Sequence, residues 1–270
     1  RDRPRQPGVA GRPGRPHVTE PDPRICSVEF RVRFDEAGPD GLLRTSSLLR
    51  YAQDLASYHS AERGFDRAWY AERGLAWLAR TATVAILAPI AHGSSMTGTT
   101  QVVGERRVWA RRRTDFVDDA GRVVAWTHVD WVLADAHGAP TRIPPEFEAA
   151  FGTPRATFPL GRVELGPPPA DALTTGLTVR PQELDPMDHV NNAVYADWLD
   201  EAILGAGDEA LVRRIPRVVR LEYARSAEPG AALSAAVWQD GSGWSYRLID
   251  STGGELLRAR LESPGSDPST

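Results

Sequence analysis

The chain has 270 residues, 41% of them hydrophobic and 25% charged, with a formal net charge of −4, a composition typical of a soluble globular protein of one large or two small domains. No apolar run reaches the ~18–20 residues of a helical membrane span, the single cysteine (Cys26) excludes a disulfide framework, and the near-balanced charge argues against a dedicated nucleic-acid binder. All 32 basic residues are arginine, which removes Schiff-base and P-loop lysines as catalytic devices.

In chain order, residues 1–26 are dominated by Pro, Gly and Arg and are expected to form a disordered tail that lacks a signal peptide's apolar core. A first unit is expected over 27–146. It opens with a strand at 29–34 and a turn-rich stretch at 35–41, then a helix whose Leu48, Leu49, Ala52 and Leu55 form one apolar stripe. Strands follow at 75–87, 97–117 and 123–135, the last two flanking a hairpin turn at Asp118–Gly121. Residues 147–176 are proline-rich and read as an inter-domain linker crossing a surface. A second unit spans 177–263: a strand at 176–181, a turn at 182–188, a helix starting near Asn191 with Val194, Trp198 and Ala202 on one side, and strands at 217–225, 231–239, 244–250 and 255–262. Residues 264–270 are expected to be a second disordered end.

The two units repeat one order of signals at an offset of about 144–147 residues, aligning Tyr51-Ala52 with Tyr195-Ala196. One strand, one central helix and an antiparallel meander, stated twice, predict an α+β tandem (double) hotdog: two curled antiparallel sheets, each wrapped round a central helix and joined at their edges.

The segment Glu183–Tyr195 carries the chemistry. Asp185 and Pro186 make a turn, and the following helix offers the N–H groups of Val190, Asn191 and Asn192 as donors for an oxyanion. Asp185 and His189 flank that helix end, which suits thioester hydrolysis: a carboxylate activates water or attacks directly, and an imidazole shuttles the proton. The competing interpretation is a plain N-cap turn with a surface histidine.

LDPMDHVNNAVYADWLDEA resembles the signature of hotdog-fold thioesterases. With LLRYAQDLASYHSAERGF, GLAWLARTATVAI, WTHVDWVLADAHGAPTRIPPEF and VVRLEYARS, the chain is similar to the acyl-acyl-carrier-protein thioesterases of plants and bacteria over about 27–262. The resemblance implies hydrolysis of acyl-ACP to free fatty acid, an acyl-chain pocket in the N-terminal unit and catalysis in the C-terminal one. It implies catalytic roles for Asp185 and His189. The family usually has Asn where this chain has Met187, and a Glu–Cys pair where it has Ser226-Ala227. Asn191 is then a substitute amide, and Glu222 or Ser226 a substitute polar partner. The first copy, with Thr45, Ser46 and Ser47 aligned to His189, Val190 and Asn191, is expected to be silent.

Arg107, Arg111 and Arg113 are expected to share a face of one long strand, with Arg213 and Arg214 in a second cluster. Either could dock an acidic carrier protein or a phosphopantetheine phosphate. Ile90-Ala91-His92-Gly93 mimics a hydratase string but follows a strand and reads as a turn. No metal-ligand spacing occurs, and the only prosthetic group expected is the phosphopantetheine that the substrate carries. The expected setting is the bacterial cytoplasm, with a homodimer as a further expectation. An acyl-CoA thioesterase and a non-catalytic acyl-binding module are the alternatives.

Overall fold

The computed structural model describes residues 22–152 and 158–263. The expected disordered ends, at 1–21 and 264–270, lie outside these residues. The first half comprises β1 (Ile25–Arg31), α1 (Thr45–Glu62), α2 (Arg67–Glu72), β2 (Ala76–Ile86), β3 (Ser95–Arg106), β4 (Trp109–Asp118), β5 (Val123–Ala134) and α3 (Pro145–Phe151). The second comprises β6 (Leu173–Thr178), α4 (Val194–Gly205), α5 (Glu209–Arg213), β7 (Arg217–Tyr223), β8 (Ala232–Asp240), β9 (Gly243–Asp250) and β10 (Glu255–Glu262).

All ten strands form one antiparallel sheet, ordered β1-β3-β4-β5-β2-β7-β10-β9-β8-β6. Counted inward from either edge, each half runs in the same sequence: edge strand, three-stranded meander, junction strand. The junction pairs β2 with β7 from Thr81↔Glu222 to Ile86↔Arg217, so the edge that each half would otherwise leave open is hydrogen-bonded. α1 and α4 bury Leu48, Leu49, Leu199 and Ile203 in one core with Val84, Leu221 and Leu257 from both sides of that junction. Each such side chain contributes roughly 1.5–3 kcal/mol of burial.

The repeat continues into the hydrogen bonds. The Arg33 N–H donates to Glu36 and the Arg180 N–H to Glu183, each carboxylate closing a short 3₁₀ turn. Both carboxylates are buried; the first also accepts from the Tyr51 hydroxyl and the second from the Trp198 indole. Tyr51 therefore corresponds to Trp198, not to Tyr195, and the isolated bridges Ala37↔Leu43 and Leu184↔Val190 keep the same spacing. The helices thus start three residues out of the expected alignment, and Leu42 rather than Thr45 is the counterpart of His189.

Several expectations need correction. Residues 22–26 are not tail: β1 begins at Ile25, and Cys26 is buried opposite Thr100. The expected strand 97–117 is a hairpin, because Arg107 adopts a left-handed φ of 53° and reverses the chain between β3 and β4. α4 begins at Val194, and Asn191 caps the turn before it by accepting the Ala193 N–H at 2.9 Å.

The expected linker has structure at both ends. α3 and its buried Phe147 and Phe151 overlap its start, and β6 its end. Between them the chain crosses the sheet face opposite α1 and α4. Phe158 stacks under Arg111 of β4, the Gly161 N–H donates to Asp130 of β5, the Val163 N–H to Glu222 of β7, and Arg247 of β9 donates to the Gly166 carbonyl. Those contacts follow the strand order across the junction.

Candidate active site

The loop from Asp185 to His189 is a five-residue reversal closed by the Asp185 N–H on the His189 carbonyl at 2.7 Å and the Asp188 N–H on the Asp185 carbonyl at 3.0 Å. One carboxylate oxygen of Asp185, Oδ1, accepts the N–H groups of Met187 (2.8 Å) and His189 (3.3 Å). That leaves Oδ2 for other partners. The first half contains the same reversal in Gly38–Leu42, with the same pair of backbone bonds at 2.8 and 2.9 Å. At the left-handed position the first loop has Gly41 (φ 74°) and the second Asp188 (φ 61°). Aspartate is among the few residues that tolerate this conformation. Gly38 and Leu42 thus stand where the second loop has its carboxylate and imidazole.

Asp185, Pro186 and Met187 line a cavity of about 620 Å³, otherwise walled by first-half residues, from α1, α2, α3, β2, β3, β4 and β5 and the loops between them. Its size falls within the usual range for small-molecule sites. Arg67 of α2 donates to the Pro186 carbonyl at 3.0 Å, tying the loop to the first half. His189 is exposed on the flank of the loop.

The other site residues divide sharply. The Tyr195 hydroxyl is buried beside Ser226, within electrostatic reach of the Asp185 carboxylate, and accepts the Ala227 N–H at 3.0 Å. Burial raises the Tyr195 pKa and the Asp185 charge raises it further, against hydrogen bonds from Ala227 and Ser226. Ser226 thus lies at the Tyr195 hydroxyl. Glu222 is not: Leu221 and Tyr223 point towards α4, so Glu222 points to the other face, where it holds Val163. The Asn191 N–H is taken by the Glu183 carbonyl at 2.9 Å, which removes it as an oxyanion donor and leaves Val190 and Asn192 as the candidates. Asn192 accepts from the Tyr223 hydroxyl through its carbonyl and, with Gln53 and Trp131, lines a small cavity beside the large one.

The expected arginine clusters are largely engaged. Arg111 is paired with Asp130 at 2.6 Å and Arg113 with Asp115 at 2.7 Å, both on the face crossed by the 158–166 segment. Arg107 sits in the β3–β4 turn, away from the face assigned to it. Arg213 pairs with Glu209, and Arg214 donates to Ser263. Tyr195 and Arg67 were not singled out by sequence: Tyr195 reads as a core aromatic, and the contact of Arg67 spans 119 residues. Among the described residues no group of three or more His, Cys, Asp or Glu side chains comes together as a metal-ligand set.

These features define an α+β protein of two repeated halves on one sheet, with a carboxylate loop of one half set against a cavity of the other. A family model of the acyl-ACP thioesterase N-terminal domain matches residues 24–151, and one of the C-terminal domain matches residues 167–262. The chain belongs to the acyl-ACP thioesterase family. It is 24% identical over 264 residues to the chloroplastic palmitoyl-acyl carrier protein thioesterase of Cuphea hookeriana, covering 89% of this chain and 62% of that protein. A chloroplastic acyl-[acyl-carrier-protein] hydrolase of Cuphea viscosissima is likewise 24% identical over 265 residues, and the chain spans 63% of its length. Two solved structures share the fold. The 12:0-ACP thioesterase of Umbellularia californica gives a TM-score of 0.74 at 22% identity, over 88% of this chain and 96% of that one. An acyl-ACP thioesterase of Bacteroides thetaiotaomicron gives 0.74 at 16% identity, over 88% and 97%.

Proposed function

We propose that this chain is a tandem-hotdog enzyme that hydrolyses acyl-ACP thioesters to free fatty acid and holo-ACP in bacterial fatty acid biosynthesis. The observation that carries this reading is the placement of Asp185, from the second half, at the wall of a cavity built by the first. The acyl chain occupies the cavity and brings its carbonyl carbon to the loop. With Oδ1 held by two N–H groups, Oδ2 takes a proton from water, and the resulting hydroxide adds to the carbonyl carbon. The developing oxyanion lies by the Val190 and Asn192 N–H groups. The C–S bond then breaks as the oxyanion collapses to the carboxylic acid, and His189 relays the proton taken up by Asp185 to the departing thiolate, which restores both groups. Tyr195, with Ser226 at its hydroxyl, lies within electrostatic reach of the carboxylate. The pantetheine arm arrives with the substrate, so no resident cofactor enters the scheme. Arg67, Arg213 and Arg214, all exposed, are the cations proposed to meet the acidic carrier protein.

Matched acyl-ACP and acyl-CoA substrates, assayed side by side for thiol release, test the reading. Preferential turnover of acyl-ACP supports it, and preference for CoA overturns the choice of carrier. Met187 and Ser226, which replace the family's usual Asn and Glu, favour a second reading, acyl binding without turnover. Retained acyl-ACP binding with no thiol release would establish that one instead.

A further inference from the structure

Arg112 is an unusual wall for an acyl pocket. It belongs to β4, lines the large cavity, and is only 9% exposed. It stands about 10 Å, two strand spacings, into the first half from the junction strand β2. Among the described residues no carboxylate forms an ion pair with it. Its Nη1 meets His59 Nδ1 at 3.0 Å, and its guanidinium carbon lies 5.7 Å from the centre of the Phe151 ring. His59 is itself buried, which lowers its pKa and keeps it neutral, and its Nε2 faces the Pro23 carbonyl at 3.1 Å. Nε2 therefore holds the proton, and Nδ1 is the lone pair that accepts from Arg112. One neutral acceptor and one aromatic ring leave most of the fork of five donors unmatched. Burial drives the Arg112 pKa down to about 10, so the group stays charged at neutral pH. A buried cation without a counter-charge is costly, and a purely alkyl chain in this cavity would leave it so.

Building on the thioesterase reading, we infer that the inner cavity around Arg112 is a subsite for an oxygen acceptor on the acyl chain, remote from the thioester. The substrate class is then an oxygenated acyl group, with a carboxylate, hydroxyl or keto oxygen towards its far end, rather than a plain saturated chain. A carboxylate would take the guanidinium bidentately. Glu105 also lines the cavity but is not among the partners of the Arg112 guanidinium. Ser60 and Tyr70, hydrogen-bonded to each other at 3.0 Å on the cavity wall, extend the polar region.

The test loads ACP with saturated, ω-hydroxy, ω-keto and ω-carboxy chains of each even length from eight to sixteen carbons, and compares kcat/KM on the intact chain. At the best length an oxygenated chain should exceed its saturated counterpart by about tenfold to a hundredfold, the range of one charge-assisted hydrogen bond. Which arm wins separates a carboxylate from a neutral oxygen. In Arg112→Met the ratio should collapse towards unity. In parallel, tryptophan fluorescence measures binding of the corresponding free acids, without turnover. If nothing is hydrolysed but oxygenated acids bind preferentially, the thioesterase reading fails and the subsite stands. If saturated chains are cleaved as well as oxygenated ones, the subsite is overturned and the thioesterase reading stands. The wild-type series alone decides this should Arg112→Met not fold.

Discussion

Replacing Asp185 by Asn separates the chemistry of the loop from its architecture. The structural duty of the carboxylate is carried by Oδ1, which accepts the Met187 and His189 N–H groups at 2.8 and 3.3 Å. The Asn side-chain carbonyl accepts the same two donors, so the reversal should persist. The structural cost is then the difference between a charged and a neutral acceptor, on the order of 1 kcal/mol. What disappears is basicity at Oδ2. A positioned general base contributes about 10²–10⁴-fold, or roughly 2.7–5.5 kcal/mol of barrier. Asp185→Asn should therefore lower kcat by about a hundredfold or more and leave the melting temperature nearly unchanged. Asp185→Ala loses the turn acceptor as well, and should lower both. The assay is steady-state thiol release from acyl-ACP, paired with thermal melts of the same preparations. Turnover of Asp185→Asn within threefold of the parent, in a folded protein, would refute the assignment of Asp185 as the base.

Three further outcomes follow from the packing. Asp200 has a buried Oδ1 with no hydrogen-bond partner, and burial raises its pKa from 3.8 to about 7 against the pull of Arg217. The folded state thus keeps a proton that the unfolded state has lost, so the contribution of Asp200 to stability is fully present below pH ~4 and falls by about 1.4 kcal/mol per pH unit up to about pH 7; urea unfolding of Asp200→Asn should lose that component of the slope, and a slope identical to the parent's would sink the argument. A Cβ at Gly104 would lie 2.8 Å from the Phe158 ring, so Gly104→Ala should cost about 1–3 kcal/mol by denaturant titration; Phe158→Leu in the same chain should recover part of it, and a neutral Gly104→Ala would refute the close packing. Ala56 lines the cavity on α1, so Ala56→Ile should shift acyl-ACP turnover towards shorter chains, and an unaltered length profile would show that the chain lies elsewhere.

The duplication, most strands and the Asp185–His189 loop were legible because each leaves a local trace: apolar periodicity, a turn dipeptide, a repeated string. The β3–β4 turn was not, because Arg107 adopts a left-handed conformation without the Gly or Asn that normally announces it. The 158–166 segment carries no such trace either, since its partners lie on four strands and are recruited one hydrogen bond at a time. One misplacement and one omission were avoidable from strand alternation alone. Leu221 and Tyr223 are apolar, which turns Glu222 away from α4. On β4, Ala110, Thr114 and Phe116 share one face, and Arg112 must share it with them. In a run of three arginines the middle one is therefore the inward residue.

The division of labour between the halves follows from bulk at equivalent helix positions. With Tyr51 matched to Trp198 by their shared role on Glu36 and Glu183, Ala52 and Ala56 of α1 correspond to Leu199 and Ile203 of α4. The latter two are fully buried, and Tyr246 and Leu257 fill the space around them. In the second half large side chains therefore close the gap between helix and sheet. In the first, alanines and serines on α1 leave it open, and the aromatic rings of Phe65, Phe147 and Phe151 wall it. The loops differ the other way: Gly38 and Leu42 offer no chemistry, whereas Asp185 and His189 do. Each copy thus has what the other lacks, a cavity in one and a carboxylate–imidazole loop in the other. The β2–β7 pairing and the Arg67–Pro186 hydrogen bond bring the two together. Neither half alone brings the Asp185 loop and the cavity together, so disrupting the junction should cost as much activity as disrupting the loop.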